Sequence, residues 1–324
     1  GCNKLSATAN EQIAIGMGSR VHLFGESGTG FGNIETTIAG IATFYSATGI
    51  VSATKFCGDG SALTGISGGG AGFEPDSQEN LYAGTSAGAA SDADTCFNIG
   101  IGYSAGNALN SGDFNVLLGC NTGNKLTGGT GNVMLGSMVG QNMTNPTNNI
   151  LIGCKAGCGS SGGGGDNIVM GSSAAMGLTG TASVIIGKEA AWLGNGGGCS
   201  VIIGKSAGYF NNGDRNIFLG HYAGGKNTGG DENIFLGRRA GCDNTNGCYN
   251  IAIGCEANVS SATAKCELVI GIGANLWICG DSCFNVGIGT NPADAVGSAT
   301  TSKLSVGILS AYQLYGDGSN LTGI

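Results

Sequence analysis

Histidine, proline and charge are scarce in this chain of 324 residues. Histidine occurs twice, at His22 and His221, proline three times, and charged residues make up 10% of the chain. So few ionisable groups poorly furnish a cleft that must place several of them, and no enzyme is expected. Lys and Arg number 13 against 21 Asp and Glu, for a net charge of −8. Without a basic face a nucleic-acid partner is excluded, because phosphate backbones are bound by cations. The sequence has no run of 18 apolar residues, so no membrane insertion is expected. It has no charged-then-apolar leader, and residue 1 is glycine, so the chain is expected to start inside a longer or processed product. Aromatics are 6%.

Glycine is what the sequence has in excess, at 66 of 324 residues. With almost no proline and no Gly-x-y triplet this is not collagen, and 41% hydrophobic residues argue against a disordered linker.

The glycines fall on a repeat. From residue 98 the chain restates Asn-Ile-x-Ile-Gly-x-x-Ala-Gly, as N98-IGIGYSAG, N115-VLLGCNTG, N132-VMLGSMVG and so on through N285-VGIG, with starts 16 to 18 residues apart. A weaker copy begins at Asn80. A period near 17 is too short for helix-pair repeats and suits one coil of a parallel β-solenoid. The fold class expected is all-β, a solenoid or β-roll of about 12 coils at residues 80–289. Residues 1–79 read as an N-terminal connector and 290–324 as a C-terminal one.

Counting the Asn as position zero, positions one and three share a strand face and position two takes the other. Positions one and three, which are Ile, Val, Leu or Met in every coil from residue 98 on, are expected inside, and the Asn reads as a turn residue. Position two, as Leu117, Met134, Leu151, Val169, Ile185, Ile202, Phe218, Phe235 and Val269, is then expected outside. Such an apolar column must be covered, and self-association around an axis parallel to the rod is the expected cover. Glycine at position four and alanine at position seven read as tight corners.

S183-VIIGKEAA and S200-VIIGKSAG resemble the Ser-Val-Ala-Ile-Gly-x-x-Ala repeats of trimeric autotransporter adhesin heads. That resemblance implies a homotrimer of parallel β-rolls. N285-VGIGTNPADAVGSATTSKLSV is similar to a segment of bacteriophage tail fibres, and G49-IVSATKFCGDGSALTGI and G307-ILSAYQLYGDGSNLTGI, copies of one another, look like marine phage fibre sequence. The two together imply a viral tail-fibre segment acting as a rigid shaft, placed on the virion or at a cell surface. The alternative is a bacterial surface adhesin or self-assembling extracellular filament. A polysaccharide-cleaving spike would need paired carboxylates in a groove.

One column has chemical character. The residue after the position-four glycine is Lys188, Lys205, His221 and Arg238 in four consecutive coils. Stacked like charges require carboxylate partners or an anionic ligand. Asp214, Asp231 and Glu232 are the expected neighbours on the first reading, and a host-surface glycan contacted with Tyr222 and Arg239 is expected on the second.

Thirteen cysteines leave one unpaired if bridges are intramolecular. Cys248–Cys266, Cys266–Cys283 and Cys242–Cys248 are candidate pairs, and the competing reading is small apolar fillers kept reduced. Two C-x3-C spacings, Cys154/Cys158 and Cys279/Cys283, lack a nearby histidine, so no metal is expected. The phase shared by Asp214 and Asp231 does not make a calcium turn, and the Gly-x-Gly strings lack the Gly-Lys-Ser/Thr ending of a phosphate loop. No cofactor is expected.

Overall fold

The structure is a computed structural model. It describes residues 75–289 apart from 161, 163 and 284, together with strands at 12–17, 20–26 and 304–306. Both Gly-Asp-Gly-Ser modules, at 58–66 and 316–324, and Cys2 and Cys57 lie outside the described residues. The chain divides into two compact units, 1–67 and 68–324. In the first, β1 (Gln12–Met17) and β2 (Arg20–Glu26) form an antiparallel hairpin.

The second unit is a parallel β-solenoid. Eleven three-residue strands, from β3 (Leu81–Ala83) to β13 (Ile251–Ile253), follow one another in sequence order, each hydrogen-bonded to the next. Register is repeat on repeat: Val116 pairs with Val133, Leu117 with Met134, Leu118 with Leu135. The strands are short runs of aliphatic, largely β-branched residues, which favour the pleated conformation. Gly204 shows why position four ends each strand: its φ is +140°, and a Cβ there would collide with the Gly220 carbonyl of the next coil.

The face assignment expected from the sequence is inverted. In the ten strands from residue 99 to 253 the middle residue is buried, while both flanking residues are half-buried or exposed. Leu117, Met134, Leu151, Ile185, Ile202, Phe218 and Phe235 all have 0% exposure within one chain. The interior is shared with the position-seven alanines, such as Ala105 and Ala207, and with Leu109, Leu126, Met143 and Leu178 from the coil's far side. The reason lies in the Asn. Positions zero and two are on one side of the pleat, and the Asn, far from being a surface turn residue, is buried.

The buried amides form a ladder along the rod. Asn115 donates from its backbone N and from Nδ2 to Asn98 Oδ1, both at 2.9 Å, and from Nδ2 to the Gly129 carbonyl at 2.7 Å. Asn132 repeats this pattern on Asn115 at 3.0 and 2.9 Å. Ser183 and Ser200 carry the ladder with hydroxyls, Ser200 N donating to Ser183 Oγ and Asn216 N to Ser200 Oγ, each at 3.1 Å. It then resumes through Asn233 to Asn250, whose Oδ1 accepts from Glu267 N at 3.0 Å.

At each start of the ladder an aspartate stands in for the missing preceding amide. Asn80 N donates to Asp76 Oδ1 at 2.9 Å and Asn80 Nδ2 to Asp76 Oδ2 at 3.2 Å. Asn285 makes the same pair of bonds to Asp281, at 3.0 and 2.8 Å.

The second start is needed because the repeat is interrupted. The spacing of 18 between Glu267 and Asn285 reads as one ordinary coil, yet the structure inserts a hairpin there. β14 (Leu268–Ile272) runs on past the usual glycine corner and turns through Gly273 and Ala274 into antiparallel β15 (Asn275–Gly280). β16 (Val286–Ile288) is antiparallel to β15, so it points again along the solenoid, and it pairs in parallel with β17 (Leu304–Val306). The local cause is Ile272. An apolar residue at position five keeps the strand going, and Gly273, at φ +55°, suits a two-residue hairpin turn.

Two outcomes follow. Asn132→Ala removes the acceptor of Asn149 N and Nδ2 and the donor to the Pro146 carbonyl. Asn149 N is left without a partner, while Asn149 Nδ2 keeps the Gly164 carbonyl and the Pro146 carbonyl keeps Thr130 N. At about 1–3 kcal/mol for the orphaned donor and about 1 kcal/mol for each further bond lost, chemical denaturation should show a loss of about 3–6 kcal/mol, and Asn132→Ser, which retains a hydroxyl acceptor, should lose less.

The second concerns acid. Burial pushes the Asp281 carboxyl up, but hydrogen bonds from the Asn285 side chain and backbone and from the Cys283 amide outweigh it and hold the group below its usual range. A depressed carboxylate stabilises the fold above the unfolded value near ~4 and stops doing so as the pH falls through the native value. The protection of the β16 amides, measured as exchange relative to the intrinsic rate at the same pH, should therefore fall on acidification, and Asp281→Ala should abolish that fall.

Candidate functional surfaces

The nine residues expected to form an oligomer interface, Leu117, Met134, Leu151, Val169, Ile185, Ile202, Phe218, Phe235 and Val269, lie in the interior of a single coil stack. Val269, at 5% exposure, is the most open of them. Phe218 and Phe235 stack face to face there, with ring centroids 5.2 Å apart and planes within 5°. None of the nine can meet another chain, so the column is a correction: it is core.

The surface that does face outward is the pair of columns at positions one and three. Over the eleven strands every one of these side chains is Ala, Val, Ile, Leu or Met. Ile150 is 39% exposed, Met170 38% and Ile217 36%, and the remaining members are half-buried or comparably open. At the near end the strip is widened by Phe97 and Phe114, exposed at 52% and 60% and stacked at 5.1 Å. Both precede the ladder Asn, in a left-handed backbone conformation that throws the side chain outward. An uninterrupted apolar strip of this length departs from the mixed surface of an isolated soluble domain.

The cation column is present and partly neutralised. Lys188 Nζ lies 3.4 Å from Glu189, and Arg238 lies 2.7 Å from Glu256, which also stands 4.0 Å from Arg239. The neighbours expected from the sequence are engaged elsewhere. Asp214 accepts from Gly198 N at 2.7 Å, Asp231 from Asp214 N at 2.8 Å, and Glu232 pairs with Arg215 at 2.8 Å. Glu189 and Glu256, one position further round the coil, are the partners instead. Between the two neutralised ends, Lys205 and His221 are exposed and have no ion pair among the described residues.

Beside these two lies an aromatic cluster that the sequence reading did not assemble. Trp192 meets Tyr209 edge-on at 5.2 Å, Tyr209 meets Phe210 at 4.8 Å, and Tyr209 lies 6.4 Å from Tyr222. Trp192 Nε1 donates to Met176 Sδ. Burial, then Glu189 and Tyr222, push the Tyr209 hydroxyl up, so it stays protonated and available as a donor. The signal was available: Trp192 and Tyr209 both occupy position nine of adjacent repeats, a position outside the quoted consensus.

A hollow of about 570 Å³ is bounded by Arg239, Asp243, Glu256, Asn258 and Leu276. Its two carboxylates are engaged, Asp243 by Lys226 at 2.7 Å and Glu256 by the arginines. Among the described residues no three His, Cys, Asp or Glu side chains converge as metal ligands. Ten of the described cysteines are free thiols, Cys158 and Cys242 buried and Cys120, Cys154, Cys199, Cys266 and Cys283 exposed. Cys266 N donates to the Cys248 carbonyl at 3.1 Å, so these two occupy adjacent coils without a bridge. No helix among the described residues is long and apolar enough to cross a membrane.

Compared with protein-family models, with curated proteins and with solved structures, the chain finds no match in any of the three.

The corrected core assignment is directly testable. Phe218→Ala should lower stability by about 3–5 kcal/mol, the loss typical of emptying a buried aromatic site, while leaving the subunit number in solution unchanged. An interface residue would give the opposite pattern in denaturation and light scattering.

Proposed function

We propose that this chain is a structural fibre segment, a rigid solenoid rod that associates side by side with copies of itself. The observation that carries the reading is the outward strip at positions one and three. It runs the whole length of eleven strands, roughly 50 Å at the ordinary strand spacing. A partner that covers it must be as long and as apolar as the rod, and a second copy of this chain meets both conditions. Full burial of an aliphatic side chain is worth about 1.5–3 kcal/mol. With about a third of each still open, covering two residues per strand would contribute on the order of 10–20 kcal/mol per chain. That is commensurate with the roughly 4–15 kcal/mol of freedom lost on association.

The rod itself requires no bound group to be stiff. Each coil is held to the next by the strand ladder, by the buried amides and by backbone bonds on the far side, such as Gly208 N to the Ala223 carbonyl at 2.8 Å. The two carboxylates of the Asp243–Glu256 hollow are already matched by cations, which supports a mechanical role over a hydrolytic one. The resemblances to adhesin heads and phage fibres support a count of three chains and a place on a virion tail or a cell surface. In that setting the role is a spacer whose sides contact the host.

Ile217 and Ile251 face outward, so Ile217→Lys with Ile251→Lys should leave the β-sheet circular dichroism intact. Sedimentation should then show an assembled wild type and a monomeric variant. A wild type that sediments as a single chain would overturn the reading.

A further inference from the structure

The coils between residues 183 and 240 carry a combination the rest of the described rod does not repeat. Trp192, Tyr209, Phe210 and Tyr222 form the largest group of touching rings among the described residues. Immediately beside it stand Lys205 and His221, basic side chains without a carboxylate partner, on a chain whose net charge is −8. Their places are fixed by the coil ladder: Tyr222 N donates to the Lys205 carbonyl at 3.0 Å, and Arg239 N to the His221 carbonyl at 2.8 Å. The aromatic rings are half-buried.

From this we infer that the Trp192–Tyr209–Tyr222 rings with Lys205 and His221 bind a linear acidic saccharide of the uronate class, lying along the rod axis. The inference deepens the surface-contact part of the fibre reading and rests on it. Three features select this ligand. Pyranose rings present C–H faces that stack on aromatic rings, and the tyrosine hydroxyls and the His221 ring nitrogens supply the hydrogen-bonding groups that sugar hydroxyls require. Lys205 and His221 occupy one column in adjacent coils, separated by the strand spacing of about 4.8 Å. A pyranose unit in a linear polysaccharide advances by a similar length. One carboxylate per sugar would therefore meet one basic group per coil, while Glu189 below and Glu256 above close the cation column at both ends and limit the site to a few sugar units.

A peptide fits less well. It would need an open strand edge or a groove, and the backbone N–H groups of these coils are already bonded to the next coil. Nucleic acid would need far more uncompensated cations than these coils offer.

The test is calorimetric titration of the full chain with a galacturonate hexamer, with a neutral galactose hexamer and an oligoglutamate peptide as comparators. Quenching of Trp192 is a second readout, checked against Trp192→Phe because Trp277 also emits. Lys205→Ser with His221→Ser, and separately Tyr209→Ala with Tyr222→Ala, change only exposed or half-buried side chains. Each pair should weaken galacturonate binding at least tenfold with an unchanged melting transition, and the neutral hexamer should bind at least tenfold more weakly than the uronate. Absence of galacturonate binding by the wild type would overturn the proposal, as would unchanged affinity in both double variants. Oligoglutamate binding as tight as the uronate would assign the site to an acidic peptide and overturn it too. Subunit number is measured on the same samples, so a rod that fails to assemble and a site that fails to bind give separate results.

Discussion

The asparagine ladder is the interaction on which the rest of this molecule depends. Each Asn places one carbonyl oxygen where it receives two donors from the next coil, and one amide nitrogen where it satisfies a turn carbonyl. A buried amide left unsatisfied is expensive, so every coil is obliged to supply the partner that its neighbour needs. This obligation sets the register, because a coil displaced by one residue would face its amide with the wrong group. It also explains the aspartates at positions 76 and 281, which serve as the first rung wherever no preceding amide exists.

Below the ladder the interior adapts by volume. In the earlier coils Leu126, Met143 and Leu178 fill the far side of the coils that carry Leu117, Met134 and Val169 at position two, and Leu109 does so in the coil with Gly100. In the later coils Asn211, Asn227 and Asn244 replace those aliphatics and bond to one another, Asn227 to Asn211 at 2.6 Å and Asn244 to Asn227 at 2.8 Å. The larger rings of Phe218 and Phe235 stand in the same region of the core. A second buried amide ladder is thus combined with bulkier side chains at position two, keeping the narrow core filled.

The period and the fold class were legible in the sequence, because a repeat of 16 to 18 residues with a glycine corner fits few architectures. The inside and outside of the strand were not. Alternation tells which residues share a face, but it identifies the buried face only when the other is polar. Here positions one, two and three are all apolar, and the polar Asn, a residue usually found in turns, pointed to the wrong side. Its burial could have been suspected from its recurrence in nearly every coil, since a solvated turn tolerates several residue types. The hairpin after Glu267 was hidden for a related reason: a spacing of 18 lies within the normal range of the repeat, and only the apolar Ile272 at position five marks the departure. At the cation column the basic residues were legible but not all their partners: Glu189 is the chain neighbour of Lys188, whereas Glu256 meets Arg238 only through the stacking of coils.

The hairpin has a further implication for side-by-side assembly. A face that repeats at every coil looks nearly the same after a shift of one coil, so two such rods could mate in many staggered alignments of nearly equal energy. β15 breaks that translational degeneracy. It brings Trp277, 59% exposed, and the adjoining Ile272, 51% exposed, to one fixed level of the rod and at no other. In the proposed side-by-side assembly, a structure built from otherwise interchangeable rungs would thereby carry an index mark, a vernier stop for aligning identical molecules end for end.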